Sequence, residues 1–303
     1  MRLRQHLLAA LAVTALLLPG WLRAQTLSFT FDDGLDPRTQ ARASEWNGQL
    51  LAALAAENVK AMLFPAGKIV GSAEGMKLVA DWSARGHAIG NHSYSHQGLG
   101  SKKMSLENFT ADVMLADEMF RSLPGWVPRL RFPYLQEGDT PAKRDGIRDW
   151  MAAKGYEPAP VSIVTSDWYY DDRFLKWRST HADDDPALFR KAYLAHLLDR
   201  ANYYEHLARE LLGRSPVHVM LLHTNALNAA FLPAVIAMFK SKGWKIVSPA
   251  EAFRDPLYAE KPSTLPAGES IVWSLAKQAQ RIGLRYPAED SVYEQTTLDA
   301  LGL

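Results

Sequence analysis

The chain has no cysteine among its 303 residues. Disulfides, thiolate metal ligands, a cysteine nucleophile and anchoring through a lipidated cysteine are all excluded. A surplus of one charge sign is missing too, since 34 Lys and Arg face 33 Asp and Glu. That balance gives no pull toward nucleic acid or an anionic bilayer, and neither is expected as a partner. The apolar run Leu7 to Leu18 is too short for a membrane-spanning helix, which needs roughly 20 residues. Internal repeats and low-complexity stretches are also absent. What remains is 48% hydrophobic, enough to bury the core of one large α/β domain or two smaller ones.

Residues 1–24 read as an export signal. Arg2 and Arg4 precede the apolar run, Pro19-Gly20 breaks it, and Arg23-Ala24 stands before Gln25. The expectation is a secreted or periplasmic chain starting near Gln25, with no membrane span after cleavage.

Beyond Gln25, strand and helix patterns alternate. Strands are expected at Leu27–Phe31, Lys60–Phe64, His87–Ile89, Leu130–Phe132, Val161–Val164, Val217–Leu222 and Trp244–Val247. Helices are expected between them, one of them capped by Ser105. This rhythm predicts a mainly parallel sheet or barrel, with chemistry gathered just after the strands. Residues 171–213 interrupt it, either as a surface helix pair or as a lid. The tail after Pro256 reads as an appendage packed on the domain.

Polar clusters do fall at the strand ends. Asp32 and Asp33 lie side by side where the first strand opens at Gly34, an arrangement that is costly without a nearby positive charge. His92 and His96 are four apart, so on a helical turn their rings would face the same way and share an ion. Ser93 and Ser95 stand ready to orient the imidazoles. Two imidazoles, one carboxylate and open water positions suit catalytic zinc, with cobalt or nickel as substitutes. Arg131-Phe132-Pro133-Tyr134, Asp167-Trp168 and Leu221-Leu222-His223 complete the set of strand-end features.

Taken together, these segments resemble the five motifs of the NodB-homology polysaccharide deacetylases (carbohydrate esterase family 4). The resemblance spans residues 26 to 250, and its first two motifs are highly specific. It implies a distorted, incomplete (β/α)7 barrel: a catalytic domain over 25–254 with a helical insertion at 171–213, then an extension over 255–303. It implies Asp33, His92 and His96 as metal ligands and Asp32 as general base. Arg131 would orient Asp32, and Asp167 would hold Arg131. The backbone N–H of Tyr134 would stabilise the oxyanion, and His223 would be the general acid. Trp168 and Leu221, with Tyr134, would receive the acyl group.

The sequence departs from the family pattern at Leu135, Val164 and Thr224-Asn225-Ala226-Leu227-Asn228, all at the cleft rim. The expected activity is removal of acetyl groups from N-acetylated amino sugars of a glycan, chitin-like or peptidoglycan-like. O-deacetylation of a xylan-type glycan and hydrolysis of a smaller acylated or amide substrate are alternatives within catalysis. A catalytically silent carbohydrate-binding protein is the alternative outside it.

Overall fold

The computed structural model describes residues 25–285 and 291–303, so the export signal assigned to residues 1–24 lies outside the described residues. In chain order the elements begin with β1 (Thr26–Asp33), α1 (Ala43–Ala56), β2 (Met62–Pro65), α2 (Ala73–Ala84), β3 (Ala88–Asn91) and α3 (Leu106–Phe120). There follow β4 (Trp126–Leu130), β5 (Gln136–Gly138), α4 (Pro141–Lys154) and β6 (Glu157–Pro158). Then come α5 (Asp167–Thr180), α6 (Ala187–Leu212), β7 (Val217–His223) and α7 (Ala226–Ser241). The chain closes with β8 (Lys245–Ile246), α8 (Pro249–Ala252), β9 (Ala267–Gly268), α9 (Ile271–Gln278) and α10 (Ser291–Leu301).

Helix starts follow local capping chemistry. Ser105 Oγ accepts the Asn108 N–H as expected, and Ser72, Thr140 and Asn225 do the same for α2, α4 and α7. The sheet runs in the order β6-β4-β3-β2-β1-β7, with β8 also on β1, and every pairing in it is parallel. β1 pairs with β2, β7 and β8 and is buried along nearly its whole length. Ser28 and Thr30 are therefore as buried as Leu27, Phe29 and Phe31, despite the alternation of polar and apolar residues along the strand. Thr30 turns its burial to use, donating to the Met220 carbonyl at 2.9 Å and accepting from Arg131 at 3.1 Å.

The sheet curls into the expected distorted, incomplete barrel with helices outside. Its seam lies where the fifth strand was expected. The strand that pairs with β4 is the short β6, while Val161–Val164 makes only an isolated parallel bridge, Ile163 to Met220 of β7. Pro158 and Pro160 explain the shortfall, because proline cannot donate to a ladder. The fourth strand likewise ends at Leu130; Arg131 then reaches Asp32, while Phe132 stacks on Phe109.

The insertion and the tail both enter the core. α6 buries Phe189, Tyr193, Leu197, Ala201, Tyr204 and Ala208 completely, so it is not a surface helix. In the tail, Leu257, Tyr258, Ile271, Val272 and Leu298 join the same apolar cluster as the sheet. β9 pairs antiparallel with β5, and the Ile271 N–H donates to the Val161 carbonyl at 2.8 Å.

Candidate active site

A cavity of about 510 Å3 opens at the C-terminal ends of the strands, and Asp32, Asp33, His92, His96, Tyr134 and His223 all face it. Asp32 and Asp33 end β1. Asp33 has φ 80°, so the chain turns there and separates the two carboxylates. The histidine segment follows β3. Its rings do meet, 4.9 Å apart between centroids, but on a tight bend rather than a helical turn. Ser93 (φ 61°) and His96 (φ 58°) make that bend. Neither serine holds an imidazole as expected: Ser93 Oγ accepts the His96 N–H, and Ser95 Oγ donates to the Asp112 carboxylate. Asp112 also receives the Ser95 N–H at 3.0 Å, tying the bend to α3.

The ligand atoms of Asp33, His92 and His96 lie within 4.8 Å of one another. His96 Nε2 is 3.2 Å and His92 Nε2 3.6 Å from Asp33 Oδ1. His92 Nδ1–H donates to the Arg131 carbonyl at 2.8 Å, leaving the Nε2 lone pair directed at the cluster. Burial pushes His92 down to about 4 against the opposing pull of Asp32, so it is a neutral imidazole. Burial alone would raise Asp33; contact with His96 and the charges of His223, His92 and His96 outweigh it and hold Asp33 well below the usual carboxylate range. Asp33 Oδ1 is buried without a hydrogen bond. Two lone pairs and an unsatisfied carboxylate oxygen converging on one point are the donor set of a divalent cation, and the residues fit one.

Two further groups flank this cluster. Arg131 is buried, with its guanidinium 4.5 Å over the Phe64 ring. Nη1 donates to both Asp32 oxygens, at 2.9 and 3.1 Å. The expected Asp167–Arg131 contact is absent among the described residues. The Ala159 carbonyl and Thr30 hold the guanidinium instead. Asp167, the first residue of α5, pairs with His223, accepting from its Nδ1 and its backbone N–H at 2.7 Å each. The reason is topological: α5 starts beside the end of β7, while the Arg131 fork is already filled by partners from β1 and the segment after β6. Burial disfavours the charged ring of His223, but Asp167 outweighs it, Asp33 and Asp32 add to the effect, and the ring is pushed up to about 10.

Tyr134 is 58% exposed, with φ 55°, and its ring meets the edge of His96 at 4.7 Å. Trp168, Leu221 and Val164 form an apolar wall. None of residues 171–213 lines the cavity, so the lid reading of the insertion is not supported. Sequence reasoning missed Glu269, Gln136 and Ser166 in the wall. Glu269 arrives on the tail, where its N–H donates to the Leu135 carbonyl at 3.2 Å. Of nine described non-glycine residues with positive φ, six line this cavity: Asp33, His96, Tyr134, Leu135, Ser166 and Glu269. Such strain concentrates where a site is held in place by its surroundings.

Residues 22–150 match the profile of the polysaccharide deacetylase family. That match covers less than half of the chain. A peptidoglycan-N-acetylglucosamine deacetylase of Bacillus cereus is 29% identical over 144 residues, 47% of this chain and 46% of the relative. A chitin deacetylase of Pestalotiopsis is 28% identical over 149 residues, 48% of this chain and 45% of the relative. The match therefore spans about half the length of these curated relatives. Among solved structures, a carbohydrate esterase family 4 esterase of Streptococcus mutans superposes with a TM-score of 0.53 at 19% identity. That superposition covers 75% of this chain and 86% of the other. The fold likeness extends past the matched segment: His223 lies beyond residue 150 yet lines the same cavity, with Asp167 buried behind it on its ring.

Proposed function

We propose that this chain is a metal-dependent deacetylase that removes N-acetyl groups from amino sugars of a glycan, working outside the cytoplasm after export through residues 1–24. The observation that carries the reading is one cavity lined by the Asp33–His92–His96 cluster together with two separately held groups, Asp32 on Arg131 and His223 on Asp167.

Asp33, His92 and His96 would hold the ion, zinc by donor preference. When bound, such an ion lowers the pKa of water and polarises an acyl carbonyl. The remaining work belongs to side chains. Asp32, oriented by Arg131, takes the proton from the attacking water. The Tyr134 N–H donates to the oxygen that gains charge, a contribution commonly worth about 3 kcal/mol. Leu221, Trp168 and Val164 exclude water around the acyl methyl. His223, kept protonated by Asp167, gives its proton to the departing nitrogen, so acetate and a free amine leave.

Acetate release from chitooligosaccharide, peptidoglycan and acetylxylan tests the reading, using zinc-loaded and chelator-stripped protein. Release from the N-acetylated glycans that is lost on stripping and restored by zinc is expected. No release from any of the three by the zinc-loaded protein would overturn it.

A further inference from the structure

α6 contributes nothing to the cavity wall, yet it reaches the site from behind. The Tyr193 hydroxyl donates to Asn228 Oδ1 at 2.7 Å. The same carboxamide donates through Nδ2 to Asp167 Oδ2 at 2.6 Å and to the His223 carbonyl at 2.9 Å. Tyr193, Asn228 and Asp167 are wholly shielded from solvent. We propose that Tyr193 and Asn228 are positioning residues that fix the Asp167–His223 pair, so that the insertion acts on the proton donor through a chain of buried hydrogen bonds. This rests on the general-acid role given to His223 above.

The direction of each bond carries the argument. Burial, and the nearby charges of Asp167 and Asp171, push the Tyr193 phenol well above its ordinary range, so it stays a donor. A donor on Oδ1 decides which way the Asn228 amide faces, because a flipped amide would set its oxygen against the Asp167 carboxylate and the His223 carbonyl. One carboxamide thus holds both the partner of the imidazole and the main chain that carries it. No lysine or arginine is paired with Asp167 among the described residues. Besides the two His223 bonds, its short donor is Asn228, with Asn225 Nδ2 and Thr165 Oγ1 more distant at 3.4 Å each.

The elements carrying the chain are locked to one another. Asn228 sits in the first turn of α7, its N–H bonded to the Asn225 cap at 2.8 Å. Asp171, one turn along α5 from Asp167, accepts the Leu227 N–H at 2.7 Å. The ionisable groups facing His223 are therefore Asp167 and Asp171 from α5 and Asp32 and Asp33 from β1, with Tyr193 of α6 acting through Asn228.

Asp167 deprived of a donor is a stronger base and grips the imidazolium more tightly, which makes His223 a poorer acid. The test uses zinc-loaded full-length protein with 15N-labelled histidine, comparing wild type, Tyr193→Phe and Asn228→Ala. Ring titration by NMR and kcat and KM for acetate release are the readouts. Tyr193→Phe is expected to raise the His223 titration by about half a unit and lower kcat about fivefold, with KM unchanged. Asn228→Ala should move both further in the same directions. Tyr193→Phe keeps the buried ring, and it decides the matter alone if Asn228→Ala does not fold. A folded Tyr193→Phe with the His223 titration unmoved or lowered overturns the proposal. If the wild type releases no acetate from any substrate, the deacetylase reading falls, while the ring titration still decides whether the chain of bonds governs His223.

Discussion

β7 carries two histidine–carboxylate pairs, and they differ in everything except their chemistry. His218 sits near its start, with Nε2 2.9 Å from Glu205 of α6 and Nδ1 3.0 Å from Ser162 Oγ. His223 ends the strand, with Nδ1 2.7 Å from Asp167 of α5. Strand alternation sends the two rings to opposite faces. His218 is completely buried beside Trp244, whereas His223, like Leu221 two residues before it, lines the cavity. Both nitrogens of His218 are spoken for; the Nε2 of His223 faces the cavity. A short imidazole–carboxylate bond is therefore no sign of catalysis by itself. Access and a free second nitrogen make the difference.

The widest separation of the pairs should come from parallel substitutions. His223→Gln is expected to cut kcat by about 10²-fold or more, measured as acetate release, with the melting temperature nearly unchanged. His218→Gln should do the reverse, lowering stability by about 2 kcal/mol by leaving the buried Glu205 short of its partner. Its kcat per folded molecule should stay within about twofold. Equal kcat losses in the two variants would erase the distinction.

A smaller effect should appear in the pH profile. In the proposed mechanism His223 must be protonated to act as the acid, and Asp167 is the main group raising it. Asp167→Asn removes that charge, so the alkaline limb of kcat/KM should move down by at least about one unit. Glu205→Gln should leave the limb in place. A limb that moves in both variants would mean that it reports a long-range field rather than the local pair.

The smallest effect concerns Asp171, which stands next to the cavity-end pair. Burial, with Asp167 and Asp172 adding, pushes its carboxyl from 3.8 up to about 7. The folded chain then binds a proton that the unfolded chain has released, so this group lowers stability progressively as pH rises from 3.8 to about 7. Asp171→Asn keeps an acceptor for the Leu227 N–H and removes that dependence. The variant should gain on wild type across that window and exceed it by about 1–3 kcal/mol at pH 8, as followed by denaturant melts. A gain that does not vary with pH would contradict the assignment.

Much of the cavity was legible in the sequence because strand ends are legible. An apolar run that stops at polar residues, alternating before Asp32 and Asp33 and near-continuous before His223, places those three and, through the turn at Pro133, Tyr134. The errors share one cause, that pairing partners are set by tertiary neighbours. Asp167 was assigned to Arg131, but the Arg131 fork is filled from Thr30 and Ala159, and only the curl of the sheet brings α5 to β7. The His92–His96 spacing suggested a helical turn because no rule of side-chain type announces a left-handed serine and histidine. Glu269 gave no signal at all, since a lone acid after Pro-Ala-Gly in a tail looks like any solvated turn.

The tail strap has a bearing on how the molecule is made. Gly268 has φ 124° and lies where a β-carbon would come within 1.7 Å of the Leu135 carbonyl oxygen, so any larger residue there would push the strap off its neighbour. A ribosome delivers Asp33, His92 and His96 long before Gly268 and Glu269 emerge. During synthesis the three candidate metal ligands are thus available while one wall of their chamber has yet to be translated. The finished chamber exists only once Glu269 has been released.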